Sequence, residues 1–183
     1  MPARRAAIYA RISHDPNRVG EGVAQQERAC RDLLERQFGA DVAVVKVWHE
    51  NDTSAWSGRL RPSYQQLLEA IRAREIDILA IWHPDRLHRR AKEFEAFLEV
   101  LEERVAGGDP LQLVSVQGGG FNLNTTEGRL IGRISVSVAQ HESDIKRDRI
   151  KARFDDRARR GLPLGGRQLY GYNTKRHVVP EQR

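Results

Sequence analysis

The chain has 183 residues, 39% of them hydrophobic, and a single cysteine, Cys30. This length suits one full core with an appendage, and one cysteine excludes a disulfide framework or a cysteine-rich metal site. The net charge of +6 is uneven: residues 1–143 carry 19 Lys or Arg against 20 Asp or Glu, whereas residues 144–183 carry 12 against 5. A near-neutral body with a basic extension is typical of a catalytic domain joined to a segment that binds a polyanion. Without a signal peptide or an apolar stretch of about 20 residues, we expect a cytoplasmic protein with no membrane partner.

The first apolar run, Ala6 to Ile12, predicts a buried strand that ends beside Ser13. A serine after a strand is usually a turn former, but α/β folds place their chemistry at strand ends. A second cluster, Asp85 to Arg90, contains three arginines and follows the apolar run 76–82. Guanidinium groups bind phosphate and stabilise charge on a transferring phosphoryl group. We therefore hypothesise serine attack on a phosphodiester among arginines.

Apolar spacing predicts alternating strands and helices over the first 116 residues. Helical spacing covers residues 22–38 and continues after Pro62 and around Phe94 to Leu101, and a polar loop of about a dozen residues, 49–61, is long enough to suggest function. The remaining strands are predicted at residues 42–48, 76–82 and 111–116. This alternation predicts an α/β fold with a mainly parallel central sheet covered by helices.

From residue 128 to Arg160 the pattern is that of one long helix of about 33 residues, close to 50 Å. Its first half is apolar enough for a core or oligomer contact, whereas the stretch 146–160 carries eight basic residues. We interpret this second half as a DNA-tracking arm that uses Lys146, Arg149, Arg153, Arg157 and Arg160. The predicted division is a catalytic domain at 1–126, the long helix at 127–160, and, at 161–183, a linker with the start of a further, truncated domain.

Motifs for cofactors and metals are not supported by the sequence. The glycine triplet at 118–120 lacks the spacing of a dinucleotide fingerprint, and His141-Glu142 has Ile145 where a zincin needs its second histidine. We therefore predict no cofactor and no metal. A metal-dependent nuclease, with acids such as Asp52 and Glu50, is a disfavoured alternative.

Five segments, in this order along the chain, resemble serine recombinases of the resolvase and invertase superfamily, and more narrowly the N-terminal catalytic domain of a large serine integrase. They are residues 9–13 (Tyr-Ala-Arg-Ile-Ser), 26–30, 52–57 with Arg61-Pro62, 85–89 and 128–142. One departure from small resolvases is His88, where glycine is common. The stretch 161–172 resembles the entry into the recombinase domain of large integrases.

The resemblance implies that Ser13 attacks a DNA phosphodiester, forms a 5′-phosphoserine link and leaves a free 3′ hydroxyl. Rejoining would need neither metal nor ATP, because the covalent bond conserves the phosphodiester energy. Arg11, Arg86 and Arg89 would surround the scissile phosphate, and Arg61 would reach it from the long loop.

Two further site residues are implied by the same resemblance. Asp85 matches a family aspartate that either orients an arginine or protonates the leaving oxygen. Gln26 matches a glutamine near the active site, with Gln25 as the alternative register.

The implied partners are double-stranded DNA attachment sites, other copies of the chain as a dimer and a synaptic tetramer, and a directionality factor, in the cytoplasm of a bacterial host. A serine transposase or an invertase would share the chemistry. From a different class, the chain could be a catalytically silent DNA-binding module of the same fold. The presence of Ser13, Arg11, Arg86 and Arg89 together argues against that alternative.

Overall fold

The protein is described from a computed structural model that covers residues 3–12, 21–51, 61–88, 91–118 and 122–162. Within these ranges, four parallel strands form one sheet in the order β2-β1-β3-β4. The strands are β1 (Arg4–Ile12), β2 (Val42–Asn51), β3 (Ile78–Ile81) and β4 (Gln112–Ser115). The predicted α/β class with a mainly parallel sheet is confirmed.

Five helices accompany the sheet in the described part of the chain. They are α1 (Glu21–Phe38), α2 (Pro62–Arg72), the short α3 (Pro84–Leu87), α4 (Ala91–Ala106) and α5 (Thr126–Arg159), and a 3₁₀ turn (Gly39–Asp41) follows α1. Helix α2 begins with Pro62 at its first position, where the missing N–H has no intrahelical role. None of the helices in the described ranges is long and apolar enough to cross a membrane.

Both faces of the sheet are covered by helices. Successive side chains of β1 point to opposite faces, and they therefore belong to two different hydrophobic cores. Ala7 and Tyr9 belong to the larger core, which includes apolar residues of α2 and α4. Ala6 and Ile8 belong to the other core, with Cys30 of α1. Cys30 is fully buried, and this burial raises the pKa of its thiol to about 12.

The strand order places a topological switch point between β1 and β3. Helix α1 leads from β1 to β2 on one side, and α2 then returns the chain to β3 on the other side of β1. In open α/β sheets, ligands bind at the carboxyl ends of the strands at such a point. The fold therefore points to the end of β1 and the start of α3.

Several element boundaries differ from the predicted ones. β2 continues through Asn51, because residues that are polar in sequence still pair with β1 up to Ile12. β3 and β4 are each shorter than their apolar runs. Helix α3 was not predicted, since four residues are too few to show a helical period.

The long helix α5 is continuous over 34 residues, about 50 Å, and the prediction of one helix is confirmed. Gly128 lets the first turn of α5 lie against the backbone of Asn122, because a Cβ at position 128 would be only 1.9 Å from the carbonyl oxygen of Asn122. Arg129 and Arg133 pair with Glu102 and Glu95 of α4 at 3.0 and 2.8 Å. The chain forms two compact units, Met1–Val138 and Ala139–Arg183.

Candidate active site

The side chain of Arg11, at the end of β1, forms hydrogen bonds with the backbone of α3. Its Nε donates to the carbonyl oxygen of Arg86 at 2.9 Å, and its Nη2 donates to that of Asp85 at 2.8 Å. Arg11 is 6% exposed, so its charge lies at the carboxyl edge of the sheet with little access to water. Three residues of the predicted site, Arg11, Asp85 and Arg86, are thus brought together at the switch point.

Gln26 fixes the backbone of Arg11. The N–H of Arg11 donates to Oε1 of Gln26, and Nε2 of Gln26 donates to the carbonyl oxygen of Arg11, both at 3.1 Å. Because β3 pairs with β1 only from Ala6 to Tyr9, the amide takes the place of a strand partner. Gln26 is buried and Gln25 is exposed, so the structure places Gln26, of the two registers, against Arg11.

The carboxylate of Asp85 lies between His83 and Arg86. Nδ1 of His83, the N-cap of α3, is 2.9 Å from Oδ1 of Asp85 and 3.2 Å from the Asp85 amide nitrogen. Nε of Arg86 is 3.5 Å from the same Oδ1. Among the described residues this buried Nε has no hydrogen-bond partner, so a fully satisfied arrangement of Asp85 and Arg86 would require a small movement of the carboxylate.

Arg61 lies in a buried ionic network beneath this junction. Its Nε donates to Oε2 of Glu50 at 2.9 Å, its Nη1 to Oε2 of Glu93 at 2.5 Å, and its Nη2 to the hydroxyl of Tyr9 at 2.6 Å and the carbonyl oxygen of Leu87 at 3.1 Å. The Tyr9 hydroxyl donates in turn to Glu50. Arg61 is 6% exposed, and its pair with Glu50 joins the end of β2 to the start of α2.

Aromatic rings complete the surroundings of Arg61. Its guanidinium carbon lies 4.3 Å from the ring centroid of Tyr64, whose hydroxyl donates to the carbonyl oxygen of Glu93. Burial alone would lower the pKa of Arg61, but Tyr9, Glu93 and Glu50 outweigh it and hold this pKa above its ordinary value. Burial raises the pKa of both Tyr9 and Tyr64. The network is therefore a permanently charged arginine held by two carboxylates and neutral phenols.

His88 lies in the core rather than at the site. The centroid of its ring is 4.7 Å from that of Phe94 and 5.2 Å from that of Phe97. Its Nδ1 is buried and has no hydrogen-bond partner within the described part of the chain. Burial, and then the charge of Arg61, lower the pKa of His88 to about 3. The imidazole is neutral at physiological pH and fills apolar space.

Two residues of the predicted site, Ser13 and Arg89, lie outside the described residues, as do positions 52–60 of the predicted long loop, which include Asp52. The described part of the chain contains no group of three His, Cys, Asp or Glu side chains placed to hold a metal ion. What the described residues assemble is a set of guanidinium groups and one exposed carboxylate, which suits an anionic substrate.

The predicted basic residues of α5 share one side of that helix. At about 100° per residue, the positions 146, 149, 153, 157 and 160 fall within an arc of about 80°. Lys146, Arg149 and Arg153 are exposed, Arg157 is half-buried, and Arg160 pairs with Asp156 at 3.4 Å.

The partners of Arg61 and the N-cap role of His83 were not predicted from the sequence. Glu50 was named only as a metal ligand of the disfavoured nuclease and Tyr9 only as part of the first strand and its motif, whereas Glu93 was not singled out. A signal for His83 was present, since a polar residue before a proline is typical of a helix start.

Comparisons with known proteins bear on the family and the fold. The sequence matches the family model "Resolvase, N terminal domain" over residues 6–162, and no curated protein matched it. Among solved structures, the chain is similar to the N-terminal catalytic domain of TP901-1 integrase, with TM-score 0.50, 19% identity, and coverage of 78% of this chain and 98% of that one. It is also similar to a resolvase family site-specific recombinase from Streptococcus pneumoniae, with TM-score 0.52, 15% identity, and coverage of 86% and 97%.

The fold and the site define an α/β domain of the resolvase type, with arginines gathered at its switch point. Because the family model spans most of the sequence, the chain belongs to the resolvase family, that of the serine recombinases.

Proposed function

We propose that the chain is a site-specific DNA recombinase of the phage serine-integrase type, which cleaves and rejoins DNA through a 5′-phosphoserine intermediate without metal or ATP. The observation that carries the proposal is the junction of Arg11 with Asp85 and Arg86. Ser13 follows Arg11 by two positions and Arg89 follows Arg86 by three. The chain therefore continues from both sides of this junction into the residues that complete the proposed site.

In the proposed reaction, the Oγ of Ser13 attacks phosphorus, a P–Oγ bond forms, and the bond from phosphorus to the 3′ oxygen breaks. The serine loses its proton and the 3′ oxygen gains one, so the reverse attack by a 3′ hydroxyl restores a phosphodiester and the free serine. Arg11, Arg86 and Arg89 stabilise the charge that develops on the phosphoryl oxygens. The low exposure of Arg11 supports this role, because a guanidinium acts more strongly where water is excluded.

For Arg61, the proposed contact with the phosphate requires an exchange of partners. Its Nε, Nη1 and Nη2 are occupied by Glu50, Glu93 and Tyr9 in the structure. These bonds would have to be released before Arg61 could reach the substrate.

The proposed partners are double-stranded DNA attachment sites and other copies of the chain, with a directionality factor as a further partner, in a bacterial cytoplasm. The basic side of α5, from Lys146 to Arg160, suits the DNA backbone. The oligomer is supported by large apolar side chains on the first half of α5 that are 49–58% exposed, namely Leu130, Ile131, Ile134 and Val138. We propose that they form the dimer contact and that two dimers pair as a tetramer.

The experiment uses end-labelled duplex DNA of randomised sequence, incubated with the 183-residue chain in EDTA and analysed on denaturing gels. We expect a protein–DNA adduct that is absent with Ser13→Ala and retained with Ser63→Ala, a matched control whose hydroxyl donates to the carbonyl oxygen of His49. Cleavage that needs magnesium and leaves no attached protein would instead indicate a nuclease. Binding without cleavage would indicate a silent DNA-binding module.

The sequences of the recovered adducts distinguish the subtypes. Joining of two non-identical sites on separate molecules is expected for an integrase. Inversion between identical sites would indicate an invertase, and joining to many unrelated sites would indicate a transposase.

A further inference from the structure

We propose that Arg61 is a positioning residue that stays in its buried ionic network and acts on the cleavage site through the carbonyl end of α3. Glu93 and Tyr9, which the expected site does not include, share this role because they hold Arg61 in place. The inference rests on the proposed function, in which α3 carries Asp85 and Arg86 of the cleavage site. It gives Arg61 a part in the reaction that needs no contact with phosphate.

Helix α3 depends on side chains from other elements to satisfy its carbonyl groups. It has four residues, and the last four carbonyl groups of a helix have no partner within the helix. The carbonyl oxygen of Pro84 accepts from the N–H of His88 at 3.3 Å. The carbonyl oxygens of the next two residues accept from Arg11, and that of Leu87 accepts from Nη2 of Arg61 at 3.1 Å. Two guanidinium groups therefore cap the carbonyl end of α3.

Burial makes this cap important for the position of α3. Arg11 and Arg61 are each 6% exposed, and Leu87 is fully buried. A positive charge at the carboxyl end of a helix is favourable, whereas a buried carbonyl oxygen that loses its donor is unfavourable. Loss or displacement of Arg61 should therefore shift the end of α3, together with the two site residues on that helix.

The network favours an Arg61 that stays where it is. The guanidinium donates to Glu50, Glu93 and the Tyr9 hydroxyl, and Glu50 is 7% exposed. Separating a buried ion pair leaves an uncompensated charge, which is strongly unfavourable. A phosphate would give Arg61 a new partner, but as an anion it would give the two carboxylates none. The balance of charge thus holds Arg61 against α3.

The test compares the rate of adduct formation in EDTA, at saturating randomised duplex DNA, for the parent chain, Tyr9→Phe and Glu93→Gln. Both variants nearly keep the size of the side chain and weaken the hold on Arg61. We expect the rate at saturation to fall about tenfold, with the DNA concentration for half-maximal rate unchanged, because misplacement of reacting groups by about 1 Å can slow a reaction about 100-fold. If Arg61 instead leaves the network to bind phosphate, the same variants release it more easily and the rate rises. A rate that is unchanged or higher would overturn the inference.

Arg104→Met is the matched control for a loss of stability. Arg104 is also a buried arginine, but its Nη1 donates to the backbone carbonyl oxygens of Ile71 and Ile76 rather than to α3. At a temperature where circular dichroism shows all the chains folded, this variant should keep the rate of the parent. A fall equal to that of the network variants would show that lower stability alone slows the reaction, and would overturn the inference.

NMR on the free chain reports the position of α3 without any reaction. The backbone carbonyl carbon resonance of Leu87 should shift in both network variants and stay in place in Arg104→Met. In the parent chain, the Nε–H of Arg61 should remain protected from solvent exchange when duplex DNA is added. A Leu87 resonance that follows neither network variant, or an Arg61 Nε–H that loses its protection on DNA, would overturn the inference.

The two proposals fail in different ways. A parent chain that forms no adduct, or forms adducts that are independent of Ser13, would overturn the proposed function. The NMR measurements on the free chain would still decide whether Arg61 fixes the end of α3.

Discussion

His88 should make the folded chain lose stability as the pH falls from 8 to 5. Its pKa is about 3 in the folded chain against an ordinary value of 6.5. Between these two pH values His88 is protonated in the unfolded chain and neutral in the folded chain. A pKa lowered in the folded state stabilises the fold above the unfolded pKa, and this contribution fades as the pH falls. At pH 5, about 1.5 units below 6.5, the loss is about 2 kcal/mol, since each unit is worth about 1.4 kcal/mol.

The assay is urea denaturation at several pH values, with His88→Leu as the matched variant. Leucine has nearly the volume of histidine, suits the ring cluster of Phe94 and Phe97, and cannot titrate. Other titrating groups contribute equally to both chains, so the difference between them isolates His88. We expect the parent to lose about 2 kcal/mol more than His88→Leu between pH 8 and pH 5. A stability difference that stays constant across this range would refute the reasoning.

Two buried arginines give further predictions. Glu50→Gln removes a buried carboxylate from Arg61 and should lower the free energy of unfolding by about 3 kcal/mol, whereas Glu103→Gln, which breaks an exposed pair, should change it by less than about 0.5 kcal/mol in the same urea titration. Arg104 is 2% exposed and donates to three backbone carbonyl oxygens. Arg104→Met should therefore lower the free energy of unfolding, measured by calorimetry, by about 3 kcal/mol. A loss no larger than that of Glu103→Gln would contradict a structural role for the hydrogen bonds of Arg104.

The helices and the fold class could be predicted from the sequence, because buried apolar residues recur with the period of the helix or strand that carries them. The predicted apolar faces of α2 and α4, such as Leu67 and Phe97, are buried as expected. In β1, a run of five apolar residues from Ala6 to Ala10 indicated a strand covered on both faces. Such patterns lie within single elements, so they can be recognised in one sequence.

The contacts of the site could not be predicted in the same way. Arg61 and Glu93 lie 32 positions apart and meet only because α2 and α4 pack on the same face of the sheet. The sequence did suggest that Arg11 and the arginines after β3 share a strand edge, but it could not show that Arg11 binds backbone carbonyl oxygens of α3. Long-range polar contacts depend on the assembled fold and have no sequence period.

Peptide mapping of the adduct tests directly whether Ser13 is the residue to which the DNA becomes attached. Trypsin cleavage after Arg11 and Arg18 yields the peptide Ile12–Arg18, in which Ser13 carries the sole hydroxyl side chain. After nuclease digestion of the adduct, mass spectrometry should find a nucleotide 5′-phosphate on this peptide, and the cleaved DNA should carry free 3′ hydroxyl ends. A nucleotide attached to any other peptide, or linked through its 3′ end, would contradict the proposed mechanism.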